Sequence, residues 1–165
     1  MGWIHSLLDE NRRFASTFEH GGLLPRAASG LALVTCMDSR ILPLEALGLR
    51  RGDAKILRNA GGRVTPDVER SLAIAVAVLG VNRVVVMHHT DCALSGASEG
   101  ELAMTIQKAG ARSVDGWQFL TMPSDSDALE RDVLAIRRSS IVPQQVEAVG
   151  CIYDVWTGSI EVKVS

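Results

Sequence analysis

Apolar residues cluster in three short runs rich in branched side chains, Leu31 to Thr35, Ala54 to Leu57 and Val84 to Met87. Runs of this length and type predict buried strands of a parallel sheet. Helical patterns lie between them: a short one from Pro43 to Leu47, and a long one from Pro66 to Leu79, with Thr65 as N-cap, Pro66 just inside and Gly80 at the end. Strand alternating with helix implies right-handed crossovers and an α/β domain with a mostly parallel central sheet flanked by helices. From Ser95 to Ser126 scattered glycines and Pro123 predict short helices and loops. Asp127 to Arg138 then reads as a helix, and Val146 to Val155 and Ser159 to Val164 as two last strands joined at Thr157-Gly158. At the other end, Ile4, Leu7, Leu8, Phe14, Ala15 and Phe18 keep a loose helical spacing before Gly21-Gly22, which predicts an N-terminal helical arm over residues 1–22. No repeat or linker interrupts the pattern, so residues 1–165 are expected to form a single domain.

Charge narrows the partners. Seventeen basic against nineteen acidic side chains leave a formal net charge of −2. No broad positive field is present for sequence-independent binding to nucleic acid or to a membrane surface, so neither is an expected partner. The longest apolar stretches fall far short of the roughly 20 residues of a spanning helix, and the first residues carry no basic segment leading into an apolar one. A cytoplasmic location is the resulting expectation. Three cysteines, Cys36, Cys92 and Cys151, are too few and of the wrong parity for a disulfide framework.

In open α/β sheets ligands bind at the carboxyl ends of the strands, and the chemistry-bearing residues fall there. Cys36, Asp38 and Arg40 follow the first strand, Arg58-Asn59-Ala60-Gly61-Gly62 the second, and His88, His89 and Cys92 the third. Two thiols with an imidazole suit zinc, which takes sulfur and nitrogen in tetrahedral geometry. Three such ligands leave a fourth position for water or for a carboxylate, and Asp38 is the nearest carboxylate. Arg40, two residues on, can pair with Asp38 as a planar fork. Asp38 therefore has two expected states: metal ligand in a closed site, or partner of Arg40 in an open one.

The set Cys36-x-Asp38-Ser39-Arg40, Arg58-Asn59-Ala60-Gly61 and His89-x-x-Cys92 resembles the β-class carbonic anhydrase family, in the order of the family's motifs and over about residues 30–92. The resemblance implies Zn2+ on Cys36, His89 and Cys92, a catalytic pair of Asp38 and Arg40, and reversible hydration of carbon dioxide to bicarbonate by hydroxide generated at the zinc. The family spacing selects His89 over His88, which faces the other way on an extended strand and is expected to be packed. Family members pair through N-terminal arms, and an arm presenting Ile4, Leu7 and Phe14 on one face has little chain of its own to cover it; a homodimer or higher even assembly is expected.

The chain departs from the family at His88 and Ala93, where glycines are common, and in having no glutamine between Gly21 and Thr35. These positions bear on the pocket and leave the motif residues in place. Family relatives use the same ligands on carbonyl sulfide or carbon disulfide, so a carbonyl sulfide hydrolase is the alternative activity. A non-catalytic zinc or redox binding module, with Asp38 permanently on the metal, is the alternative of a different class. Two other chemistries are excluded by spacing. A cysteine phosphatase loop needs five residues between Cys and Arg where Cys36 and Arg40 have three, and Met37 to Ile41 lacks the glycines of a dinucleotide turn. Cys151, on an alternating strand with Val149 and Tyr153, is expected to be core, and His5 and His20 to be solvated or packed.

Overall fold

The structure, a computed structural model, describes residues 2–122 and 127–165. Five strands form one sheet in the order β2-β1-β3-β4-β5: β1 Leu31–Cys36, β2 Ala54–Asn59, β3 Arg83–His89, β4 Glu147–Tyr153 and β5 Ile160–Val164. β1 pairs in parallel with β2 and β3, and β3 with β4; β5 returns antiparallel. The helices are α1 Gly2–Ser16, α2 Pro43–Ala46, α3 Pro66–Leu79, α4 Glu99–Lys108 and α5 Ala128–Arg138. The mostly parallel α/β sheet with an N-terminal helix is thus the architecture that the hydrophobic pattern predicts.

Alternation along the strands divides the core between the two faces of the sheet. Val34, Val84 and Val86 pack with Leu72 and Ala75 of α3 and with Leu129, Val133 and Ile136 of α5. Leu33, Met87 and Cys151 pack on the other side with Ile41, Leu94, Met122 and Ala128. Fully buried side chains such as Leu33 and Leu72 each contribute roughly 1.5–3 kcal/mol of burial. Cys151 thus sits in the core, 5 % exposed, and its burial pushes the thiol's pKa up. α3 begins and ends as its sequence predicts: Thr65 accepts from the Val68 amide, and Gly80 closes it in the left-handed region at φ 76°.

Two departures from the sequence pattern matter for function. The strands run beyond their apolar stretches, so that the ladder still pairs Cys36 with Asn59 and His89 with Tyr153. Cross-strand backbone bonds, not side-chain polarity, decide where a strand stops. In the glycine-punctuated region a ten-residue helix, α4, is stabilised by a reciprocal cap in which Ser98 and Glu101 bond each other's backbone amides. The expected loop at 123–126 lies outside the described residues. α1 forms as expected, and all fifteen of its residues are solvent-exposed.

Candidate metal centre

β1 and β3 are neighbours whose connections leave in opposite directions across the sheet, with β2 on one side and β4 on the other. Such a switch point opens a crevice at the strands' carboxyl ends, and the candidate residues are there. Cys36 closes β1, His89 closes β3 and Cys92 follows on the next turn. Their ligand atoms all lie within 4.8 Å of one another, and all three residues are buried.

The donor set fits a soft or borderline divalent ion. The Nδ1–H of His89 donates to the Thr90 carbonyl at 2.8 Å, which fixes the tautomer and leaves the Nε2 lone pair free. That Nε2 is a buried polar atom without a hydrogen-bond partner among the described residues. An orphaned nitrogen of this kind is costly unless something binds it. The two thiols interact directly with each other. The hydrogen bond from Cys92 lowers the Cys36 pKa to about 4 against the effect of burial, with further help from His89 and the amides of Asp38 and Gly61. Cys92 is pushed up because it keeps its proton toward Cys36 and is itself buried. Burial, the largest single effect, opposes protonation of His89, but the adjacent Cys36 sulfur, the Thr90 carbonyl and the Asp38 carboxylate together outweigh it and raise the imidazole pKa.

Asp38 and Arg40 pair as a fork. Arg40 Nε donates to Asp38 Oδ1 at 3.0 Å and Nη2 to Oδ2 at 2.7 Å, and the Arg40 backbone amide donates to Oδ1 at 2.9 Å. These bonds hold the Asp38 carboxyl well below the usual carboxylate range. Asp38 Oδ2 stands 3.9 Å from His89 Nε2. In this structure both Asp38 carboxylate oxygens are engaged by Arg40.

The second-strand motif builds the wall. Arg58 Nε donates to the Cys36 carbonyl at 2.9 Å and Nη2 to the Asp38 carbonyl at 2.6 Å, fixing the loop after β1. Asn59 bonds both the amide and the carbonyl of Arg63, closing the Ala60–Gly62 turn. Gly62, at φ 69°, lies against β1: a Cβ there would sit 2.9 Å from the Cys36 nitrogen. A Cβ on Gly61 would sit 2.7 Å from Leu94 Cδ1. Together with Met37, Ala60, Ala93 and Leu94, the cluster and Asp38 enclose a cavity of about 140 Å3. This is well below the roughly 300–1,000 Å3 of sites for drug-sized ligands.

His88 lies away from the cluster, its Nε2 3.0 Å from Asp132 Oδ2. The same carboxylate accepts from Arg63 Nε at 2.6 Å and from the Val64 amide at 3.0 Å, and Arg63 Nη1 reaches the Leu120 carbonyl at 2.6 Å. This buried network and the Asp91 contact to Arg40, at 2.8 Å, are the parts that sequence reading missed. Arg63 and Asp132 belong to no motif, and Asp91 fills an unspecified position of His89-x-x-Cys92; the signal available was that His88 and Asp91 each stand one position from a candidate ligand.

Comparison with known proteins agrees with this geometry. Residues 31–118 match the family model described as carbonic anhydrase. The β-carbonic anhydrase 1 of Mycobacterium tuberculosis is 34 % identical over 155 residues, 93 % of each chain. This chain belongs to the β-carbonic anhydrase family. Within the family, the crystal structure of a carbonic anhydrase from Streptococcus mutans superimposes with a TM-score of 0.90 at 35 % identity, covering 98 % of both chains. A carbon disulfide hydrolase of Acidithiobacillus thiooxidans is also similar, 29 % identical over 150 residues, 79 % of this chain and 75 % of that protein. Among the described residues no helix is long and apolar enough to cross a membrane.

Proposed function

We propose that this β-carbonic anhydrase family member is a zinc enzyme that hydrates carbon dioxide reversibly to bicarbonate, with residues 1–165 acting as one domain. The observation that carries the reading is the buried triad of Cys36, His89 and Cys92, with a His89 Nε2 that has no hydrogen-bond partner among the described residues, lining a small cavity. The three residues would hold Zn2+ through their sulfur and nitrogen atoms, as in sites that leave one position open. When bound, the ion supplies Lewis acidity that makes water nucleophilic near neutral pH.

The protein's own groups do the rest. Arg40 keeps Asp38 ionised, so that Asp38 can only accept hydrogen bonds; at the cavity it orients a water molecule and aims the oxygen lone pair at the substrate carbon. Ala60, Gly61, Ala93 and Leu94 present hydrocarbon and no charge, which suits a small neutral molecule. Gly61 leaves room for that molecule, because a methyl group there would meet Leu94. α1, with Trp3, Leu7 and Phe14 exposed, supports assembly into a homodimer or a larger even oligomer.

A second reading has its own support. Carbonyl sulfide and carbon disulfide are also linear and neutral, Ala93 reshapes the wall at a position where the family commonly has glycine, and a carbon disulfide hydrolase is among the relatives. Stopped-flow carbon dioxide hydration, run beside sulfide release from carbonyl sulfide and carbon disulfide with zinc-loaded protein, separates the two. Faster turnover of carbon dioxide is the expected outcome. Preferential sulfide release would reassign the substrate, and no turnover of any of the three would leave a metal-binding module.

A further inference from the structure

Arg40 is held from three sides, and only one of them belongs to its pair with Asp38. Its Nη1 donates to the Asp91 carboxylate at 2.8 Å and its Nη2 to the Asp91 backbone carbonyl at 3.0 Å. The guanidinium carbon also lies over the Trp156 ring, 5.9 Å from its centroid. Asp91 has φ 55°, a left-handed conformation that Asp tolerates better than most side chains. In it, carboxylate and carbonyl both meet the same guanidinium. The turn that carries Asp91 is anchored in turn: the Thr90 amide donates to the Tyr153 carbonyl at 2.9 Å, and the Val155 amide donates to the Thr90 hydroxyl at 3.1 Å.

An aspartate and an arginine two residues apart on one loop can move together as a unit. A third contact on a separate strand end removes that freedom. Arg40 thereby ties the loop after β1, which carries Cys36 and Asp38, to the turn after β3, which joins His89 to Cys92. We propose that Asp91 is a positioning residue for the reaction, clamping Arg40 so that Arg40 presents the Asp38 carboxylate to the cavity in one orientation. The proposal rests on the reading of Asp38 as the group that orients water.

Two substitutions separate the clamp from general structure. Asp91→Gly deletes the carboxylate while keeping the left-handed backbone without strain, and Asp91→Asn keeps an oxygen acceptor without its charge. In zinc-loaded protein, Asp91→Gly is expected to lower kcat roughly tenfold and Asp91→Asn about threefold, with zinc content unchanged. Neither should lower the rate further in an Arg40→Ala background, because Asp91 acts only through Arg40. In metal-free protein the Arg40 Nε–H, followed by nitrogen-15 NMR, should exchange with water several-fold faster in Asp91→Gly than in wild type. Wild-type kcat in both Asp91 variants, a loss that persists in full in Arg40→Ala, or unchanged Arg40 exchange would each overturn the proposal. If Asp91→Gly does not fold, Asp91→Asn with and without Arg40→Ala carries the same comparison. Asp38→Ala distinguishes the levels: at wild-type rate it overturns the orienting role of Asp38 and the clamp with it, whereas an inactive Asp38→Ala beside fully active Asp91 variants overturns the clamp alone.

Discussion

His89 Nε2 is the atom that most calls for a ligand, since a buried nitrogen with a fixed lone pair and no hydrogen-bond partner among the described residues has little purpose in a protein that binds nothing there. Cys36→Ala or His89→Ala is therefore expected to abolish stoichiometric zinc by elemental analysis; retained metal would place the ion elsewhere. Asp38→Ala should keep the zinc and lose activity by roughly a hundredfold, as expected for a misplaced orienting group. Gly62 makes a backbone prediction of a different kind. An alanine there combines the left-handed penalty of about 1–2 kcal/mol with a Cβ 2.9 Å from the Cys36 nitrogen. Denaturant titration of Gly62→Ala should show a loss of at least that size, together with weaker zinc retention because Cys36 must shift. Cys36, Cys92 and Asp38 were legible from type and spacing, and His89 was chosen over His88 on the family resemblance. Gly62 was legible only as part of the glycine-bearing segment after the second strand, since what a Cβ would meet depends on a strand 26 positions earlier.

Between elements, Asp132 is the main polar joint. It reaches from α5 to His88 on β3 and to Arg63 beside the Ala60–Gly62 turn. Burial alone would raise its pKa, but His88, Arg63 and the Val64 amide together hold it below the usual range. A carboxylate depressed in the folded state contributes stability that is fully present above its unfolded pKa of about 3.9 and is lost as pH falls below that value. Wild-type protein should accordingly lose stability below about pH 4, as followed by Tm. Asp132→Asn leaves Arg63 buried without a counter-charge, a change that costs about 3–5 kcal/mol at neutral pH. Its acid-side decline should also be shallower. An unchanged acid limb in the variant would show that other carboxylates govern the decline. The helices and strands that Asp132 joins could be read from hydrophobic period and caps. The joint could not, because an aspartate on a helix looks solvated until the facing strand is known.

α1 has the composition of an interface without a visible partner. Its fifteen residues are all exposed, including Trp3, Leu7 and Phe14, and an apolar stripe of this kind is stabilised by association. Sedimentation of the full chain is expected to give a dimer or a larger even assembly, and Leu7→Glu with Phe14→Glu to shift it toward monomer. A monomeric wild type would contradict the proposal. The order of strands and helices, the α/β class and the candidate sulfur donors follow from the chain alone, because hydrophobic period and residue type are local properties; the choice of His89 over His88 came from the family resemblance. The cluster itself needed the fold. Cys36 and His89 are 53 positions apart, and parallel pairing of β1 with β3 brings their strand ends to one crevice. The state of Asp38, the Asp91 clamp on Arg40 and the Asp132 joint are also properties of the folded chain. Each depends on which charged groups meet across elements, and hydrogen-bond geometry at 2.6 to 3.0 Å exists only after packing has set those distances.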